Sequence, residues 1–206
     1  MKTMTLEEFK ESSYIEIIEE LIKRNNGYVT SKLVSALGIH RMYLKIMLER
    51  GQIKKVGNGI YTGLNTKPDY LFILSQENAR LVYSHMTSLY LHGIAAKPKN
   101  DKYDISVPSK YHNTRLNNNN VYYVNEKNYN LGVVEVTTTQ GNVVTAYDVE
   151  RSICDIIKFK DNYDIEDIKS CIKKYLKSEK KDLNKLFNYA SILGVKDIKL
   201  YIELLK

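Results

Sequence analysis

Between residues 39 and 63 the chain sets Arg41, Lys45, Arg50, Lys54 and Lys55 against one acid, Glu49. These side chains suit anion binding. A guanidinium fork donates two hydrogen bonds to a guanine edge or a phosphate, and an ammonium attracts phosphate as a point charge. Interleaved with them stand His40, Met42, Tyr43 and Asn58, which add a ring, a thioether, a phenol and an amide. The plainer reading is a solvated face with Tyr43 packed beneath its neighbours.

Catalytic chemistry has fewer candidates. His85 and His92 are seven residues apart, where a helical metal site uses His at i and i+4. A structural or capping role fits them better. Asp104 and Glu135 fall on strand-like segments, as a metal-dependent nuclease requires, but Thr137 stands where a water-activating Lys is wanted. Asp104-Ile105-Ser106 also lacks the second acid of an Asp-x-Asp pair. No Gly-rich phosphate loop and no Gly-x-Ser-x-Gly occurs. The expectation is a protein without catalysis, cofactor or metal.

The elements that would position the basic segment are helical. Ile15, Ile18, Leu21 and Ile22 give one apolar face, closed by Asn25-Asn26-Gly27. Tyr28-Val29 reads as an extended link, and Thr30 caps a second helix with Leu33, Val34 and Leu37 inward. After Gly38 a third helix spans about 40–50, with Leu44, Met47 and Leu48 inward. Met42, Lys45, Ile46 and Glu49 then face outward, with Arg41 and Tyr43 on the flanks. Gln52–Val56, Gly57-Asn58-Gly59 and Ile60–Thr62 read as a β-hairpin.

Two short helices joined at a Gly-containing turn, followed by a basic hairpin, make a winged helix-turn-helix. Its third helix would enter a major groove of double-stranded DNA. Arg41 is the first candidate for a guanine edge, and Tyr43 and Lys45 for phosphate or base. Lys54, Lys55 and Asn58 on the wing are candidates for the backbone or minor groove.

The rest of the chain completes an α+β fold: the winged helix-turn-helix, then a C-terminal domain with a small, mostly antiparallel sheet and a helical C-terminus. The expected domains are residues 1–64 and 79–206, with 65–78 connecting them. Tyr70–Leu74, short and apolar, should pack and not hang free. A helix is expected over 83–93, strands at 103–107, 121–124, 132–138 and 142–146, and an exposed loop at Asn117–Asn120. Helices follow at 147–159, 164–177, 182–193 and 195–205. In Tyr147–Asp155, Asp148 should cap a helix start laced by ion pairs with Arg151 and Asp155.

With 206 residues, two modest domains are natural. A net charge of +7 and a pI near 9.1 suit an anionic partner or plain solubility. Cys154 and Cys171 lie in helix-like patterns, the start shows no secretory run, and no window is apolar enough to span a membrane. The expectation is a cytoplasmic protein with two buried, reduced thiols and no membrane partner.

Three stretches, beside the winged helix, carry a resemblance: Tyr83-Ser84-His85-Met86-Thr87-Ser88-Leu89-Tyr90-Leu91-His92-Gly93-Ile94, then Ile105-Ser106-Val107-Pro108, then Tyr147-Asp148-Val149-Glu150-Arg151-Ser152-Ile153-Cys154-Asp155. With them the chain resembles the AbiEi antitoxins of type IV toxin–antitoxin systems, linked to abortive phage infection. The resemblance implies an N-terminal domain that binds inverted repeats in its own promoter and represses the operon. It implies a C-terminal domain needed to counter a nucleotidyltransferase-like toxin without a stable complex. His40 and Ile46 depart from the polar residues expected on such a recognition helix. The alternative is an ordinary winged-helix repressor whose C-terminal domain senses a ligand or partner.

Overall fold

A computed structural model describes residues 6–111, 113 and 116–205, those from 6 to 12 by backbone alone. It divides into two compact units. The first takes the chain up to Asn78 together with Thr138–Asn142, and the second holds Ala79–Thr137 and the chain from Val143 on.

In the first unit the order is α1 (Leu6–Arg24), β1 (Tyr28–Thr30), α2 (Ser31–Ala36), α3 (Met42–Glu49), β2 (Ile53–Gly57), β3 (Ile60–Gly63) and α4 (Tyr70–Glu77). Ile15, Ile18 and Ile22 of α1 pack with Val34, Leu44, Met47 and Ile53 in one apolar core. Each such side chain removed from water stabilises the unit by roughly 1.5–3 kcal/mol. Thr30 caps α2 as expected, its hydroxyl accepting from the Leu33 amide at 3.1 Å.

Leu37, expected inward, is 53% exposed. Helix α2 ends at Ala36, Gly38 turns the chain at φ +74°, and Ile39 takes the core position instead. The Tyr28-Val29 link is a strand: β1 pairs antiparallel with β3, and the sheet order is β1-β3-β2. Asn58 and Gly59 make the tight hairpin turn, with Gly57 opposite Ile60.

Residues 65–78 fold with this unit. Asp69 caps α4 by accepting from the Phe72 amide, and Ile73 packs with Tyr28 and Ile60. The buried Asp69 carboxylate also accepts from the Thr138 hydroxyl at 2.6 Å and from Asn142 Nδ2 at 2.8 Å.

The second unit holds β4 (Val82–Tyr83), α5 (His85–Leu91), β5 (Asp104–Pro108), β6 (Asn120–Val124), α6 (Glu126–Tyr129), β7 (Val133–Thr137) and β8 (Val143–Tyr147). Helices α7 (Val149–Lys158), α8 (Ile165–Lys177), α9 (Leu183–Leu193) and α10 (Ile198–Leu205) follow. The strand order is β6-β5-β4-β8-β7. The expected dominance of antiparallel pairing is corrected: β4–β5 and β7–β8 are antiparallel, but β5–β6 and β4–β8 run parallel. The cause is β4, two residues too short to read from sequence, which inserts between β5 and β8. Asn120, expected in a loop, starts β6 and donates from Nδ2 to Asp104 at 2.7 Å. The core joins Leu89 to Ile153, Cys154, Ile156 and Ile157 of α7 and to the apolar faces of α8, α9 and α10.

Candidate nucleic-acid interface

The basic segment is built around the start of α3. His40, expected at the cap, lies one residue before it: Arg41 holds the N-cap position without a side-chain capping bond, and His40 Nδ1 accepts from the Met42 amide at 3.2 Å. Arg41 turns toward α2, its Nε donating to Ser35 Oγ at 2.9 Å. The guanidinium lines a cleft of about 390 Å³ with Lys32, Lys55, Asn58 and Gln76. Three cations thus converge on one hollow between α2, the start of α3 and the β2–β3 hairpin, and no acid is among its described lining residues. Such a hollow suits a phosphate.

The hairpin is held in place from below. Glu77, the last residue of α4, accepts from the Asn58 amide at 2.7 Å. Lys54 lies on the neighbouring edge, its Nζ donating to the Leu64 carbonyl at 2.9 Å.

On α3 the inward and outward faces differ from expectation by about one residue. Ile46, expected outward, is half-buried against the core with Tyr43, while Leu48, expected inward, is 36% exposed. That flank of α3 lies against α1, where the Tyr14 ring meets the Tyr43 ring at 5.0 Å. Tyr43 therefore has one side in the core. Met42 is 50% exposed, and Lys45 reaches back to Glu49 at 3.7 Å in a solvated pair.

All eight residues singled out by sequence lie in this unit: His40, Arg41, Met42, Tyr43, Lys45, Lys54, Lys55 and Asn58. The cleft gathers Arg41, Lys55 and Asn58, whereas Lys54 and Lys45 lie outside its lining. Sequence reasoning missed Lys32, Ser35 and Glu77. Lys32 had a signal, since it follows the Thr30 cap closely and sits in the first turn of α2. Ser35 and Glu77 had none, because their partners are set only by the fold.

In the second unit the candidate catalytic groups do not converge. Asp104 lies on β5 and Glu135 on β7, three strands apart, or roughly 14 Å at the spacing of neighbouring strands. Asp104 is buried and hydrogen-bonded by Asn120 and by the Met86 amide, and burial raises its pKa. Glu135 is exposed. His92 meets the Tyr147 carbonyl at 2.8 Å. His85 is buried, stacked on Tyr122 at 3.7 Å, with Nδ1 against Ser84 Oγ and Nε2 without a partner. Burial, reinforced by the charge of Arg151, holds its pKa well below the usual histidine range. Among the described residues no cluster of three His, Cys, Asp or Glu is placed to hold a metal.

The Tyr147–Asp155 run is an ion-paired helix start. Asp148 Oδ1 accepts from the Arg151 amide at 2.8 Å, and Arg151 Nε donates to both oxygens of Asp155 at 3.1 Å. The Arg151 guanidinium also donates to the Asn128 and Leu131 carbonyls and sits 4.1 Å from the Tyr147 ring centre. The salt-bridge partner of the Asp148 side chain is Lys185 at 3.0 Å, so the expected Asp148–Arg151 charge pair is instead a backbone cap.

The class of protein to which the first unit is similar is the transcriptional regulator. Residues 16–62 match the family described as "Transcriptional regulator, AbiEi antitoxin", which supports an AbiEi family antitoxin. No curated protein matches the chain. Among the described residues no helix is long and apolar enough to cross a membrane.

Proposed function

We propose that the first unit is a winged helix-turn-helix that binds double-stranded DNA, and that the protein is an autoregulating antitoxin. The observation that carries this is the convergence of Lys32, Arg41 and Lys55 on one cleft, with no acid among its described lining residues, beside the exposed start of α3, within the stretch that matches a regulator family. In this reading α3 enters the major groove and the β2–β3 hairpin is the wing. Met42 and Lys45 face the bases, with His40 shaping the helix start. Arg41, Lys55 and Asn58 grip phosphate, Lys54 supports the wing's edge, and the phenol of Tyr43 lies at the groove wall.

The family resemblance supplies the rest of the proposal. The DNA is a pair of inverted repeats in the protein's own promoter, and its occupation represses the operon. The second unit counters a nucleotidyltransferase-like toxin without a stable complex, as in type IV systems of phage defence.

Titration of the promoter duplex against a scrambled duplex tests the DNA reading. Neutralising about four to six phosphates gives a log–log salt slope of about −4 to −5. Equal affinity for the two duplexes overturns it. Co-expression with the adjacent operon gene tests the antitoxin reading: rescue of growth is expected, and unrelieved toxicity rejects it.

A further inference from the structure

Met42 is the first residue of α3 and stands 50% exposed between cations, with Arg41 before it and Lys45 one turn on. The first turn of a groove-reading helix is where base edges are met. Other residues that compete for that role are otherwise placed. Arg41 is drawn toward α2 by Ser35 Oγ and lines the cationic cleft. Of the other aliphatic and thioether residues of α3, Leu44 and Met47 are buried, Ile46 is half-buried against the core, and Leu48, 36% exposed, lies in the last turn, away from the helix start.

We infer that Met42 is the base-discriminating residue of this interface and that it reads the 5-methyl group of a thymine. This rests on the DNA-binding reading and deepens it. The chemistry follows from what a thioether lacks. It has no N–H or O–H to donate and only a weak acceptor, so it cannot pair with the O6 and N7 of guanine or the amino groups of cytosine and adenine. The major-groove edges offer one apolar feature, the thymine methyl. The His40 ring accepts from the Met42 amide at 3.2 Å, which ties the chain before the helix to its first residue. The flanking cations hold the duplex, and the thioether sets the register along it.

The experiment begins with selection of bound duplexes from a random pool. In the recovered site each thymine is then replaced in turn by deoxyuridine, which removes the methyl and leaves every hydrogen-bonding group. The wild type is expected to lose about four-fold in affinity at one thymine per half-site, the value of one buried carbon. Met42→Ala should bind thymine and deoxyuridine equally there, whereas Arg41→Ala should keep the discrimination while binding both more weakly. Met42→Leu should retain it. Indifference of the wild type to every replacement, or unchanged discrimination in Met42→Ala, overturns the inference while leaving DNA binding intact. Recovery of no preferred sequence overturns the DNA-binding reading itself, a result distinguishable from the other two.

Discussion

The two units differ in the charges they bury, although both carry exposed lysines. In the first, Lys32, Arg41 and Lys55 stand at or near the surface around a hollow. Among its described residues the one carboxylate buried below a tenth of its surface, Asp69, is satisfied by uncharged groups. In the second, Arg151, Asp155, Asp148 and Glu150 lie inside, and Arg151 is only 2% exposed. Solvated cations contribute little to folding and much to attracting an anion. Buried ions do the reverse, because removing one partner leaves an uncompensated charge away from water. The basic balance of the chain therefore says something about a partner only where the charges are outside.

The largest test of that contrast is Arg151→Ala. It strips Asp155 of its cation and the Asn128 and Leu131 carbonyls of their donor, and it should destabilise the second unit by about 3–5 kcal/mol in a denaturant titration. Arg151→Lys keeps the charge but loses the fork and should fall between. A wild-type transition for Arg151→Ala would dissolve the distinction between the units.

Asp69→Ala is next in size. It removes the α4 cap and the acceptor for Thr138 and Asn142, and about 2–3 kcal/mol of the first unit should go with it. The variant also checks that a buried carboxylate can be stabilised by uncharged donors alone. Asp69→Asn, which keeps one carbonyl acceptor, should recover part of the loss.

Local signals explain which parts of this architecture were legible in the sequence. Thr30 as a cap, Asn58-Gly59 as a turn and the Ile15–Ile22 stripe each rest on neighbours a few residues away. The eight candidate binding residues were accessible for the same reason, since one short segment carries them. What was hidden depends on distant partners. The buried flank of α3 packs on Tyr14 of another helix, and the mixed sense of the second sheet follows the two-residue β4. Neither leaves a periodic trace. Ser35, which accepts from Arg41, looks like any exposed serine until the turn after α2 brings the start of α3 beside it.

The contrast also has a pH signature. The folded second unit keeps His85 neutral, because its ring is buried and its Nε2 would carry a proton with no acceptor. Its depressed pKa means that the unfolded chain binds the proton first. Stability from this group is present above the ordinary histidine value, and it is lost as pH falls from about 6.5 toward the lower folded value. Compared with wild type, His85→Gln should lose less of its melting midpoint over that range. A parallel decline in both proteins would show that other groups carry the acid sensitivity.

The smallest expected change in stability comes from Lys55→Ala. Its side chain lines the cleft of the first unit and lies exposed, so the melting midpoint should stay within about 2–4 °C of wild type. The same variant should weaken binding to duplex DNA and lower the magnitude of the salt slope by about 1. The pair of measurements separates the two uses of charge better than either alone. A cation that folds the protein moves the melt, and one that serves a partner moves the slope. Should Lys55→Ala move the melt and leave the slope untouched, the cleft would be a structural feature and its cations would belong with Arg151.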